Sequence, residues 1–227
     1  MSTGTAALLA QALVEDRRRF VDLRPVSRET LRDLDLYVAA LTRWQASINL
    51  VGPATLPQLW TRHFLDSVQL MDHAPAHALR WVDLGSGAGF PGLVIALALK
   101  GRAGATVTLV ESNGKKAGFL RAVAREISAP ADVRHGRIED VVPRLASTDV
   151  VTARALAPLT QLFAWVQPLL KSGAIALFPK GRDLDKERAD AARYWDFSGE
   201  VLPSVVTEES HILRIHRLTR RSGQSIP

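Results

Sequence analysis

The run Trp81-Val82-Asp83-Leu84-Gly85-Ser86-Gly87-Ala88-Gly89-Phe90-Pro91-Gly92 constrains this chain more than any other stretch. It reads as a strand ending near Asp83, a glycine loop, and a helix starting near Pro91, where proline suits the first turn. Glycines let a backbone turn tightly and approach a ligand with no Cβ in between. A strand, such a loop and a helix in succession form the opening unit of a nucleotide-type binding fold, although a glycine turn can also merely join two elements.

The sequence beyond the loop repeats the alternation. β-prone runs at 81–84, 106–111, 131–134, 149–153, 174–178 and 211–218 are separated by helical patterns at 91–100, 115–128, 159–170 and 184–195. That spacing predicts an α/β fold with a doubly wound, mostly parallel sheet, and any ligand lying at the carboxyl ends of the strands. The last two of these strand runs are expected to end the sheet as an antiparallel hairpin at its edge. The first 80 residues read as helical instead. Leu31, Leu34, Tyr37, Val38 and Leu41 recur at helical spacing, Ser27 marks a helix start, and a second amphipathic stretch covers 59–70. The expected division is a helical extension over 1–78 packed on a main domain over 79–227.

Charge and cysteine usage narrow the function classes. There is no cysteine, which excludes disulfides, thiolate metal sites and cysteine nucleophiles. No apolar run approaches the ~20 residues that span a bilayer. Residues 1–16 lack the basic start of a secretory signal, so a soluble, cytoplasmic protein is expected. The formal net charge is +6, with its excess between 81 and 179 and no basic tail, so a polyanion would meet a folded surface. Arg17-Arg18-Arg19 and Arg220-Arg221 read as solvated faces or frayed ends. His63, His73 and His77 show no metal-ligand spacing with carboxylates, so no metal is expected.

Two cofactor readings meet at the glycine loop. Gly87 to Gly92 formally matches G-x-G-x-x-G, the dinucleotide fingerprint. The acidic strand residue Asp83, two positions before Gly85, fits S-adenosylmethionine better: an acid there faces the ligand's ammonium group, and the open loop takes a ligand with no pyrophosphate. Glu111, at the end of the second strand, is placed to accept hydrogen bonds from ribose hydroxyls in either reading. After the third strand, Ile138 and Glu139 are placed to meet an adenine face and edge, against the alternative of a solvated acidic turn.

These residues carry a family resemblance. VDLGSGAGFPG, then LVES with Lys115-Lys116 and Phe119-Leu120, then Arg137-Ile138-Glu139, then Ala153-Arg154-Ala155 resemble the bacterial 16S rRNA guanine-N7 methyltransferases (RsmG, formerly glucose-inhibited division protein B). Trp44, Asn49-Leu50 and Arg62-His63-Phe64-Leu65-Asp66-Ser67 resemble the helical portion of that family. The chain departs from it at Leu93-Val94, where many members have a proline, and at Val51-Gly52, which stands in place of a threonine.

The resemblance implies a seven-stranded S-adenosylmethionine-dependent methyltransferase sheet, with 16S rRNA of the small ribosomal subunit as substrate; a monomer with no membrane partner is expected beside it. It places cofactor contacts on Gly85, Phe90, Ile138, Glu139 and Arg154, to which the residue chemistry adds Asp83, Gly87 and Glu111. Arg154, after the fourth strand, is expected close to the transferring methyl as a positioning group, its alternative being an ion pair with Asp83 or Glu111. Guanine N7 has an exposed lone pair, so the reaction needs position and no general base. Arg62, His63, Lys115, Lys116, Lys180 and Arg182 form the expected RNA-facing set, although Arg62 and Asp66 are also i,i+4 neighbours that could simply pair. A methyltransferase for another RNA site or a small molecule, a nonenzymatic cofactor-binding assembly factor and a nicotinamide-dependent reductase are the alternative readings.

Overall fold

The computed structural model describes residues 3–223; residues 1–2 and 224–227, at the ends of the expected division, lie outside the described residues. Seven strands form one sheet: β1 (Arg80–Leu84), β2 (Thr106–Glu111), β3 (Ala131–His135), β4 (Val150–Ala153), β5 (Ile175–Lys180), β6 (Trp195–Pro203) and β7 (His211–Arg220). Their order is β3-β2-β1-β4-β5-β7-β6. The first five run parallel, and β7 is antiparallel to both β5 and β6. The chain winds outward from β1 to β3, then returns to the other side of β1 with β4. The carboxyl ends of β1 and β4 therefore form the switch point where such sheets bind ligands.

Helices cover both faces. On one face lie α1 (Thr3–Leu23), α2 (Arg28–Gln45), α4 (Gly92–Ala98) and α5 (Gly114–Glu126); on the other lie α6 (Ile138–Val141), α7 (Leu159–Lys171) and α8 (Leu184–Ala191). Strand alternation sorts the side chains: Trp81, Val107 and Leu109 join the first core, while Val82, Leu84 and Val110 join the second. Phe20, Tyr37 and Trp60 sit in the same cluster as Leu93 and Phe119, so the helical portion shares a core with the main domain. Ser27 caps α2 by accepting the Thr30 amide at 3.0 Å, as its sequence position predicts.

The structure corrects three expectations. The stretch 59–70 is not one α-helix: Trp60–Leu65 winds as a π-helix, followed by the single turn α3 (Asp66–Val68) and a 3-10 turn at Gln69–His73. The helix expected over 184–195 stops at Ala191, and a strand absent from the six sequence runs, β6, begins at Trp195. It is β6, not β5, that forms the edge hairpin with β7. Arg17 pairs with Asp35 at 2.7 Å and stacks over Trp60, and Arg221 pairs with Asp196, with both arginine side chains still a third to a half exposed.

Candidate active site

The glycine loop after β1 is fixed from below. Asp83 is 1% exposed; its Oδ1 accepts the Thr152 hydroxyl at 2.9 Å and its Oδ2 the Gly92 amide at 3.2 Å. Burial pushes the Asp83 carboxyl up to about 6, against the opposing hydrogen bonds and the Arg154 charge. Gly85 has φ +65°, a left-handed backbone that glycine adopts without strain, and its missing Cβ leaves room for the Leu156 side chain in the loop after β4. Gly89 has φ +93°, and its missing Cβ leaves room for Tyr37, whose hydroxyl donates to the Ala88 carbonyl.

Glu111 closes the loop from the side of β2. Its Oε2 accepts the Gly87 amide at 2.8 Å and its Oε1 the Asn113 amide at 2.7 Å, which leaves each oxygen a further lone pair. Asn113 in turn caps α5 by accepting the Lys115 and Lys116 amides. Ile138 and Glu139 open α6 after β3, where first-turn amides have no partner in the helix. The Glu139 carboxylate accepts the Trp165 indole N–H at 2.8 Å.

On the other side of the loop, at the switch point, lies a cleft of ≈ 1070 Å³. Its walls bring together Gly85, Gly87, Phe90, Arg62, His63, Lys116, Arg154 and Lys180 of the predicted set. Arg154 leaves the end of β4 and is aimed by Ala155, whose φ of +51° is a conformation costing a non-glycine residue about 1–2 kcal/mol. Its guanidinium lies over the Phe90 ring at 5.2 Å and donates to Asp66 Oδ2 at 3.0 Å and to His63 Nδ1 at 2.7 Å. Phe90 stacks on Tyr37 at 5.4 Å and on His63 at 4.9 Å. His63 Nε2 faces the Thr55 hydroxyl at 3.0 Å. Burial, then the charges of Arg154 and Arg62, lower the His63 pKa to about 3, so the ring is neutral.

Several sequence-predicted roles change with this geometry. Asp83 sits beneath the loop and off the cleft wall, each oxygen accepting one hydrogen bond within the chain, so it braces the glycine loop. Arg154 is ion-paired, but to Asp66 and not to Asp83 or Glu111. Asp66 pairs with Arg154 and not with Arg62, and the turn that carries Arg62 is π-helical, which lacks the i,i+4 alignment of an α-helix. His63 offers phosphate no charge and no free ring nitrogen; its place is beside Arg154. Lys180 is paired with Glu187 and Arg182 with Glu209, and Lys115 and Arg182 stand outside the cleft wall. Arg62 and Lys116 remain as cations on that wall. Sequence reasoning missed Asp66 as the partner of Arg154, Tyr37 under the loop, and Gln69, buried behind Asp66.

Comparison with known proteins finds similar chains along almost the whole length. The family model described as rRNA small subunit methyltransferase G matches residues 30–215. A ribosomal RNA small subunit methyltransferase G of Methylorubrum populi is 52% identical over 204 residues, 90% of this chain and 96% of the relative. One from a Bradyrhizobium species is 48% identical over 223 residues, covering 98% of this chain and all of the relative. Among solved structures, an O-methyltransferase from Bacillus cereus in complex with SAH superposes with a TM-score of 0.54 at 15% identity, over 91% of this chain and 99% of its own. A mutant of MtNAS in complex with S-adenosylmethionine gives a TM-score of 0.55 at 18% identity, over 89% of this chain and 76% of its own; at these identities both likenesses speak for the fold alone.

Proposed function

Because the chain belongs to the rRNA small subunit methyltransferase G family, we propose that it transfers a methyl group from S-adenosylmethionine to N7 of one guanine in 16S rRNA of the small ribosomal subunit. The observation that carries this reading is Arg154, held over Phe90 between Asp66 and neutral His63 at the switch point of the sheet. When bound, the donor supplies a sulfonium-borne methyl group. The chain's own groups fit such a ligand. The glycine loop offers backbone without Cβ at Gly85 and Gly87, Glu111 keeps lone pairs for ribose hydroxyls, and Ile138 offers an aliphatic face beside the first-turn amides of α6.

Arg154 then orients the reacting partners as a fixed cation. A guanidinium stays protonated in proteins, so it neither takes nor gives a proton. His63 and Asp66 have the oxygen or nitrogen nearest Arg154 already accepting from it, which suits a reaction at N7 in which no proton leaves before attack. Arg62 and Lys116, with Lys186, put positive charge on the cleft wall for the phosphate backbone. In this reading the chain works as a cytoplasmic monomer, its helices up to residue 78 serving the domain from 79 onward. No described helix is long and apolar enough to cross a membrane.

The test is transfer of labelled methyl from S-adenosylmethionine to small subunits that lack the modification, followed by mapping of the nucleotide. Label on a single guanine that becomes susceptible to N7-specific strand cleavage is the expected result. Label elsewhere, or none despite measured donor binding, would overturn the assignment.

A further inference from the structure

Gln69 is 1% exposed, and a primary amide so deeply buried is costly unless each of its polar atoms is engaged. Its Nε2 donates to Asp66 Oδ1 at 2.9 Å and lies 3.1 Å from the Ser204 hydroxyl; its Oε1 accepts the Val205 amide at 3.0 Å. Asp66 uses its other oxygen for Arg154. Ser204 and Val205 open the connection between β6 and β7, whose Val206 and Ser210 line the cleft. One side chain thus joins the carboxylate that holds Arg154 to a loop on the cleft wall, across 135 residues of sequence.

We propose that Gln69 is a positioning residue for methyl transfer: by holding Asp66 Oδ1 and the start of the β6–β7 loop together, it sets the orientation of Arg154 against the acceptor-side wall. This rests on the reading of Arg154 given above. Without the amide, Asp66 can rotate about its own χ angles, and the Arg154 guanidinium, whose geometry is planar and directional, turns with it. Displacements on the order of 1 Å at such a group cost up to about 100-fold in rate. If Gln69 only anchored the loop, stability would suffer and the Arg154 contacts would not.

The experiment compares Gln69→Leu, which removes every polar contact at similar volume, with Gln69→Glu, which keeps an acceptor for the Val205 amide and, once ionised, has no donor for Asp66. Gln69→Glu is measured from about pH 7 to 9, because burial beside Asp66 favours the protonated acid, whose O–H would restore that bond. Each is measured for thermal unfolding, donor affinity, kcat on undermethylated small subunits, and the ¹⁵N resonance of His63 Nδ1, in the wild-type chain and with Arg154→Ala. The expected result is a kcat lowered about tenfold in both variants. Donor affinity stays within about twofold, the Nδ1 resonance shifts as the Arg154 bond loosens, and little further loss follows in the Arg154→Ala chain, because residues acting through one another are not additive. Gln69→Glu carries the test if Gln69→Leu fails to unfold cooperatively. An unshifted Nδ1 resonance with kcat within about twofold of wild type in a folded variant would overturn the proposal, as would an equal proportional loss with and without Arg154. Arg154→Ala running at the wild-type rate would remove the reading of Arg154 as well, and so separates the two failures.

Discussion

Arg154 Nη2 lies 2.7 Å from His63 Nδ1, and this contact fixes the protons of both residues. A guanidinium only donates, so Nδ1 carries the lone pair and the imidazole proton sits on Nε2. That proton points at Thr55 Oγ1, 3.0 Å away, and the Thr55 hydroxyl itself donates to the Gly52 carbonyl at 2.8 Å. The histidine is therefore a neutral strut between the loop at Gly52 and the arginine at the switch point.

His63 should accordingly remain neutral throughout the physiological range. Its folded pKa of about 3 lies below the ordinary value of 6.5, so between them the unfolded chain binds more protons. The stability that His63 contributes is complete above about 6.5 and is lost as pH falls towards about 3. Unfolding free energies from pH 7 to 4 for wild type and His63→Gln test this: the decline on acidification should be shallower in the variant. Parallel curves would contradict it.

Asp83 carries the opposite sign. Its folded pKa of about 6 exceeds the ordinary carboxyl value of 3.8, so the folded state holds the extra proton between these limits. The associated stability is present below about 3.8 and is lost as pH rises through about 6. Asp83→Asn should remove that loss, so its stability relative to wild type should improve between pH 4 and 6.5. At low pH the wild-type carboxyl is itself protonated, so the two proteins should differ least in hydrogen-bonding capacity there and diverge as pH rises through about 6. Equal pH dependence in the two proteins would refute this account of Asp83.

Gly89→Ala tests the support under the loop. A left-handed backbone costs a residue with a Cβ about 1–2 kcal/mol, and here that atom also meets Tyr37 and comes within 2.7 Å of Leu93 Cδ1. Urea unfolding should show a loss of at least this size, and calorimetry a weaker affinity for S-adenosylmethionine. Wild-type values for both would show that the Tyr37 contact does not shape the loop.

Much of this was legible in the sequence because it is local. The β1–loop–α4 unit, the start of α2 at Ser27 and the strand at Thr106–Glu111 follow from short-range period and turn chemistry. β6 did not, because Trp195–Pro203 is an edge strand with most residues at least partly exposed and with Asp, Ser, Gly, Glu and Pro in place of apolar alternation. The π-helical turn at Trp60–Leu65 keeps an apolar spacing that resembles α, so its altered register was hidden. The pairing of Arg154 with Asp66 spans 88 residues and depends on the packing of helices against the sheet, which no local pattern encodes.

RNA affinity should separate free cations from paired ones. Arg62→Ala and Lys116→Ala should each reduce the salt slope of small-subunit binding by about one, the signature of a lost phosphate contact. Lys180→Ala should change the slope less and stability more, since Lys180 holds Glu187 at 2.7 Å and Glu187 also accepts the Leu159 amide. A full unit lost from the slope on removing Lys180, with unchanged stability, would show that its pairing opens on binding.

The most direct test of the central claim is single-turnover methyl transfer by Arg154→Ala to undermethylated small subunits at saturating S-adenosylmethionine, with folding checked on the same preparation. The account predicts a rate lower by at least about 100-fold in a chain that still unfolds cooperatively, because the positioning group at the switch point is gone. Transfer at the wild-type rate to the same guanine would contradict it.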